Sequence, residues 1–174
     1  RQDKAALSLH STGLKANSSN SKFSYPSNLP YRFDYFRAYK LWSSVFGDDA
    51  VQVCIFDTKK ISGTELLKDF CLSAGVAWCD DFEITPTKNE SLSANGEFIF
   101  GIFNKLQAAG DERYRRKDYK ALKEVIASTF SGSFNYKPAR ADAKAFYKLF
   151  QQSNNNLLAA AFIGRNQPLF DDDF

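Results

Sequence analysis

The sequence predicts an α/β protein that is mostly helical, with one central strand near residues 50–57. In that segment, "AVQVCIFD", Val and Ile alternate on one face, while Cys and Phe place apolar groups on the other. A strand that is apolar on both faces is typical of a parallel sheet covered by helices, and one strand alone cannot form a sheet. No second strong strand follows, so we expect partner strands upstream of Arg1. The alternative is an all-helical domain that tolerates one short extended segment.

Helices are predicted over most of the remaining chain, because apolar residues recur there at helical spacing. The predicted helices cover 2–16, 31–47, 64–74, 93–109, 116–130 and 140–163, and a polar loop covers 17–30. In the second helix Tyr35, Tyr39, Trp42 and Phe46 form a stripe, and Gly47 ends the helix. We interpret this stripe and those of the later helices as core.

Composition is that of a folded protein, with 44% hydrophobic residues, 25% charged residues and 17 Phe among 174 residues. This length is enough for one domain, and we expect 1–174 to be a single domain truncated at its N-terminus. The net charge of +3 permits an anionic ligand without indicating nucleic acid.

The chain has few cysteine and histidine residues, and their spacing is not that of a metal site. Three unpaired cysteines, Cys54, Cys71 and Cys79, suit a reducing compartment, and His10 is the only histidine. A metal centre is therefore not expected. No segment is long and apolar enough to span a membrane, and we expect a cytoplasmic protein.

Four segments carry a resemblance to a known family. They are "RQDKAALSLHST" at the start, "YKLWSSVFGDDAVQVCIFDTKKISGTELLKDFCLSAGV" at 39–76, "NESLS" at 89–93, and "SNNNLLAAAFIGRNQPLFDDDF" at 153–174. Together they resemble the C-terminal part of bacterial, polysaccharide-modifying sulfotransferases. These enzymes use 3′-phosphoadenosine 5′-phosphosulfate (PAPS).

The resemblance implies a fold, an activity and two ligand-binding residues. The fold would be the helical C-terminal portion of a P-loop-like three-layer domain. The activity would be transfer of a sulfuryl group from PAPS to a hydroxyl acceptor, such as a glycan. Arg1 and Ser8 would hold the 3′-phosphate of PAPS. The loop that grips the 5′-phosphosulfate would lie upstream, so we expect no turnover from the isolated chain. The catalytic base is not assigned.

Arg1 and Ser8 suit this role on chemical grounds. An arginine fork can bind two phosphate oxygens at once, and a helix N-terminus adds unpaired N–H groups. A serine two turns into the helix can direct its hydroxyl back toward that end. The pair is spaced by seven residues where better-known members of the family have eight. A preceding arginine could therefore be the ligand, with Arg1 a surface residue and Ser8 a small helix residue.

Other candidates are interpreted as structural. His10 has a pKa suited to a general base, but it lies on another side of the helix from Ser8. Lys15 and the basic run "RYRRK" (113–117) are interpreted as solvated charges rather than contacts to an acidic substrate. Two competing functions stay open: a helical interaction domain without catalysis, and another nucleotide-dependent α/β transferase.

Overall fold

The computed structural model describes residues 1–28, 30–56, 64–79, 81–84, 91–110, 116–131 and 137–174. Over these ranges the chain forms seven α-helices and no β-strand. They are α1 (Gln2–Lys15), α2 (Tyr35–Phe46), α3 (Thr64–Ser73), α4 (Ala94–Ala108), α5 (Arg116–Thr129), α6 (Arg140–Lys148) and α7 (Gln151–Ala161). Short 3-10 turns cover Pro30–Phe33 and Asp48–Ala50. The predicted α/β class is therefore wrong.

The predicted central strand at 50–57 does not form within the described residues, and Asp57 lies outside them. Val51, Val53 and Ile55 pack against a cluster centred on Tyr39 and Leu157. The intervening residues, Gln52, Cys54 and Phe56, are exposed. The segment thus buries one face against helices and leaves the other in solvent, so it needs no flanking strands. The inference that both faces are buried was the error.

The predicted helices exist, with two main changes: the second begins later than predicted, and the last divides into two. A 3-10 turn precedes α2, which starts after Asp34, whose carboxylate accepts a hydrogen bond from the Arg37 main-chain N–H at 2.9 Å. Gly47 follows the helix with a φ of 88°, a conformation that favours glycine. The predicted 140–163 helix is two helices, α6 and α7, separated by a turn at 149–150.

The chain divides into two compact units. The first contains Arg1–Phe33, Glu90–Gln152 and Asp172–Phe174, and the second contains Asp34–Asn89 and Ser153–Asp171. The first unit has two hydrophobic clusters of buried residues, and the second has one. The units are described separately below.

The first unit has two apolar clusters. One joins α1, α4 and α5 through Leu14, Leu92, Phe100, Phe103, Tyr119 and Ile126. The other joins α1, the segment before α2, and α6 through Ala6, Phe23, Phe33, Phe146 and Phe150.

A buried polar network ties the C-terminal end of α1 to α4 and α5. The Asn104 amide donates to the carbonyl oxygens of Leu14 at 2.8 Å and Ser18 at 2.6 Å. Its oxygen accepts from the Tyr119 hydroxyl at 2.9 Å. The Lys123 ammonium donates to the Lys15 carbonyl at 2.8 Å. Of these acceptors, the Leu14 and Lys15 carbonyls lie in the last turn of α1, where the helix leaves them without intrahelical partners.

The second unit has one cluster, formed by Tyr39, Leu157 and Leu169 with partly buried neighbours. The Asp34 carboxylate at the start of α2 also accepts a hydrogen bond from the Ser153 hydroxyl. Several large apolar side chains of this unit stay exposed. Among the described helices of the whole chain, none combines the length and the apolar composition that crossing a bilayer requires.

Candidate anion-binding site at the start of α1

The predicted phosphate ligand Arg1 stands at the N-cap of α1. Ala5 and Ala6 are strong helix formers, and Ala6 and Leu14 anchor the helix in the two clusters of the first unit. The first main-chain N–H groups of a helix have no intrahelical partners, and the helix dipole favours negative charge there. The fold therefore places the predicted arginine at an end that is suited to anions.

The Arg1 guanidinium is held by carboxylates. Its Nε and Nη2 donate to the two oxygens of Asp3 at 2.7 and 3.0 Å, and its Nη1 donates to Asp173 at 2.8 Å. The centroid of the Phe174 ring lies 3.7 Å from the guanidinium carbon. Burial opposes the charged form, but the hydrogen bonds and charges of Asp3 and Asp173 outweigh it and raise the pKa of Arg1. The cation is therefore fixed in place.

A second cation, Lys4, converges on the same tail carboxylate. Its ammonium nitrogen lies 3.2 and 3.4 Å from the two oxygens of Asp173. Arg1 and Lys4 thus bind one carboxylate together, at the start of a helix. Asp173 is one of three consecutive aspartates near the end of the sequence. An anionic group is accordingly bound where the sequence predicts a phosphate.

Ser8 lies on the same face of α1 as these two cations. Steps of three, four and seven residues bring side chains to one side of a helix, so Arg1, Lys4 and Ser8 form a row. Ser8 is exposed, and its main-chain carbonyl accepts a hydrogen bond from the Thr12 hydroxyl at 3.0 Å. The hydrogen bonds of the Arg1 guanidinium to Asp3 and Asp173 do not involve Ser8.

Sequence reasoning missed Lys4 and Asp173. The signal for Lys4 was available, because it stands three residues after Arg1 and four before Ser8. No local sequence pattern predicts the contact of Asp173 with Arg1, because the two residues are 172 positions apart.

The other charged or titratable residues that the sequence singled out are not part of this site. Part of the basic run 113–117 lies outside the described residues. Lys15 is half-buried at the far end of α1. His10 is half-buried on a different side of the helix from Ser8, with its ring packed edge-on against Phe23 at 5.4 Å between centroids. A structural role for His10 agrees with that position.

The half-buried His10 lies beside the buried carboxyl of Glu97 on α4. Its Nε2 lies 4.0 Å from a Glu97 carboxylate oxygen and has no hydrogen-bond partner among the described residues. Burial raises the pKa of Glu97 to about 7. Burial also lowers the pKa of His10, against a hydrogen bond to the Ser21 main chain that raises it. Both shifts favour the neutral forms, and the separation of the two groups exceeds hydrogen-bonding distance.

The second unit contains an open cleft of about 440 Å³ beside the 51–56 segment. Its lining includes Cys54, whose sulfur lies 3.7 Å from the Ser73 hydroxyl, and Asp69. Arg165 is also at its wall, but donates to the Gln167 and Pro168 carbonyls at 3.3 and 3.1 Å. Within the described part of the chain, no three His, Cys, Asp or Glu side chains group as metal ligands would.

Comparisons of the chain with protein-family models, with curated proteins and with solved structures find no match.

Proposed function

We propose that this chain binds the 3′-phosphate of PAPS and belongs to a sulfotransferase that modifies a hydroxyl acceptor, such as a glycan. The observation that carries the proposal is the convergence of Arg1 and Lys4 on a single carboxylate at the N-terminus of α1. The resemblance of "RQDKAALSLHST" to the phosphate-binding segment of that family supports it independently.

A phosphate is a better ligand for this site than the carboxylate of Asp173. It has more acceptor oxygens and a larger negative charge, and the planar guanidinium can bind two of those oxygens in parallel. Lys4 supplies a second positive charge, and the exposed Ser8 hydroxyl on the same face can donate a further hydrogen bond. Nucleotide binding would displace Asp173 and leave the Asp3 contacts of Arg1 in place.

In the proposed reaction the 3′-phosphate is an anchor, remote from the bond that changes. The acceptor oxygen attacks sulfur, the bond from sulfur to the 5′-phosphate oxygen breaks, and adenosine 3′,5′-bisphosphate leaves as the acceptor proton is released. Holding a remote group fixes donor geometry and lowers the entropic part of the barrier. The sequence has no Gly-Lys-Ser or Gly-Lys-Thr turn for the 5′-phosphosulfate. We therefore expect the isolated chain to bind nucleotide without turnover.

The test is calorimetric titration of the full chain with adenosine 3′,5′-bisphosphate and with adenosine 5′-monophosphate. We expect the bisphosphate to bind at least about tenfold more tightly, because charge-assisted hydrogen bonds to the added phosphate contribute roughly 1.5–3 kcal/mol. Equal affinity for the two nucleotides would contradict the proposal and favour another nucleotide-dependent transferase.

Ser8 has a matched control in Ser44, an exposed serine on α2 whose hydroxyl donates to the Leu41 carbonyl. Ser8→Ala should weaken bisphosphate binding about threefold to tenfold by removing one donor. Ser44→Ala should leave the affinity unchanged. A Ser8→Ala variant that binds like the native chain would remove Ser8 from the site.

A second candidate function is a helical protein-interaction domain without catalysis. The exposed apolar side chains on α2 of the second unit favour it, because large exposed apolar patches mark interaction surfaces. This candidate predicts no measurable binding of either nucleotide in the same titration.

A further inference from the structure

Residues 172–174, Asp-Asp-Phe, lie against α1 and α6 within the first unit. We call these three residues the tail. The Asp172 carboxylate lies 3.7 Å from the Lys144 ammonium of α6. The Asp173 carboxylate is the one that the two cations of α1 share. The tail therefore joins two helices through consecutive acidic side chains.

The aromatic residue of the tail also has partners on both helices. The centroid of the Phe174 ring lies 3.7 Å from the guanidinium carbon of Arg1 on one side. On α6, its centroid lies 5.5 Å from that of the Tyr147 ring and 5.4 Å from the Lys144 ammonium. A cation over a ring face and a pair of tilted rings are both favourable contacts. Each tail side chain thus meets a different set of partners.

The contacts that hold the tail are those of a surface and not of a core. The Asp172 side chain is 78% exposed and its partner Lys144 is 37% exposed, while Lys4 is 59% exposed. Ion pairs at such positions are individually weak, and salt screens them. The two apolar clusters of the first unit are built from other residues. Several weak contacts in a fixed order make binding selective while leaving it reversible.

We propose that α1 and α6 together form a recognition surface for an acidic–aromatic peptide segment, and that the tail of the same chain is the segment that occupies it reversibly. We call this the tail-binding surface, and its residues are Arg1, Lys4, Lys144 and Tyr147. It recognises the order acid, acid, aromatic, because each side chain of that order has its own partners. Release of the tail would remove the acids from beside three cations. The inference requires no nucleotide, so it stands apart from the proposed function.

Occupancy by the same copy follows from connectivity. The tail, α1 and α6 all belong to the first compact unit. A segment tethered to its own binding surface acts at an effective concentration in the millimolar range. Contacts that are individually weak are then enough to keep the tail bound, whereas a separate peptide must compete with it.

The first test supplies the tail sequence as a separate peptide. A fluorescent, end-blocked peptide GSGDDDF is titrated into the full chain and into the full-length variant Asp173→Asn/Phe174→Ala, whose own tail lacks two of its contacts. Fluorescence anisotropy measures binding, and circular dichroism checks that the variant keeps its fold. The variant should bind the peptide about threefold to tenfold more tightly than the native chain, because the tethered competitor is weakened. Equal affinities of the two chains would overturn the proposal.

The control peptide GSGDFDD has the same composition and charge in another order. It should bind the variant at least about threefold more weakly than GSGDDDF does, because its aromatic side chain no longer follows two acids. Equal binding of the two peptides would mean that the surface attracts acidic peptides in general, and it would overturn recognition of the tail sequence.

Substitutions on the tail-binding surface test the contacts one by one. Added to the same variant, Lys4→Gln and Lys144→Gln should each weaken binding of GSGDDDF about twofold to fivefold, since each removes one cation. The matched control is Lys148→Gln, at an exposed lysine one turn further along α6. It removes the same charge and should leave the affinity unchanged. Equal losses in all three would contradict the assigned contacts.

The last test observes the tail of the otherwise native chain through para-fluorophenylalanine at position 174. At 0.1 M salt its fluorine resonance should differ from that of the free peptide, and it should approach the peptide value near 1 M, because the Debye length falls from about 10 Å to about 3 Å. The resonance should not change with protein concentration. A resonance equal to that of the free peptide at every salt concentration would overturn the proposal. Dependence on protein concentration would place the tail on a second copy and overturn occupancy by the same chain.

Discussion

The two units of the molecule differ in how completely they bury their apolar side chains. In the first unit Phe100 is 1% exposed and sits in a cluster that three helices share. In the second unit Phe46, on a helix with an equally clear apolar stripe, is 59% exposed. A helical stripe therefore identifies which side chains can be buried, whereas the packing of neighbouring elements decides which of them are.

Buried polar side chains also distinguish the first unit. The first unit encloses Asn104 at 2% exposure, and its amide joins α4 to the Leu14 carbonyl of α1. A buried polar side chain lowers stability when it has no hydrogen-bond partner. When it has one, it favours a single arrangement of the packed elements. The packing of the first unit is thus fixed by polar contacts as well as by apolar ones, and its variants should have larger effects.

The largest expected difference comes from a matched pair of Phe→Ala variants. Phe100→Ala should reduce the free energy of unfolding by about 3–5 kcal/mol, because it leaves a cavity among well-packed neighbours. Phe46→Ala should change it by less than about 1 kcal/mol, since its ring is mostly in solvent. Urea unfolding of dilute protein, followed by circular dichroism, measures both. Similar losses for the two variants would remove the distinction between the units.

The buried Glu97 carboxyl of the first unit should make the stability of the protein depend on pH. Its folded pKa of about 7 lies above the reference value of 4.5, so the folded state holds the proton more tightly. Stability is consequently lost as pH rises from about 4.5 to about 7, to a total on the order of 3 kcal/mol. Glu97→Gln cannot lose a proton, so it should remove this pH dependence and be more stable than the native chain at pH 8.

Glu124→Gln, at an exposed glutamate of α5, is the control. It should retain the native pH dependence over the same window in urea unfolding measured at several pH values. His10 acts in the opposite direction below its reference pKa of 6.5, because its lowered folded pKa makes stability rise with pH there. A native chain whose stability is flat between pH 5 and 8, and equal to that of Glu97→Gln, would contradict the assignment.

Two helical glycines in the first unit give the smallest expected effects. A Cβ at Gly101 would lie 2.2 Å from the Ser21 Cβ and 3.1 Å from its Cα, so Gly101→Ala should destabilise by about 1–3 kcal/mol. At Gly13 the nearest atom, the Ser18 Cβ, is at 3.8 Å. Gly13→Ala should therefore stabilise by roughly 0.5–1 kcal/mol through helix propensity alone. Thermal unfolding distinguishes these opposite signs, and a stabilising Gly101→Ala would refute the close approach of Ser21 to α4.

Local pattern was enough to predict the helices but not their environment. The stripe at Leu66, Leu67 and Phe70 predicts core, yet these side chains are 37%, 43% and 69% exposed on α3. The pattern at 51–56 likewise predicted a strand buried on both faces. The spacing of apolar residues indicates the local backbone conformation, but it does not indicate which elements pack against each face. The weighed alternative, a helical domain with one extended segment, describes the observed structure.

The candidate site was predictable only in part. The arginine, the serine and their helix follow from local spacing, so sequence alone brings Arg1 and Ser8 to one face of α1. The carboxylate that Arg1 and Lys4 bind is that of Asp173, and the acid beside His10 is Glu97. Both contacts join distant parts of the chain, so no local pattern reveals them.

The most direct test of the central claim replaces Asp173 by Asn and measures the affinity of the full chain for adenosine 3′,5′-bisphosphate by calorimetry. If Arg1 and Lys4 form a phosphate site that the tail carboxylate occupies, removing the competing charge should tighten binding about twofold to fivefold, in line with an ion pair worth roughly 0.5–1 kcal/mol. Unchanged or weaker binding would contradict the account, because Asp173 would then not compete with the nucleotide for those cations.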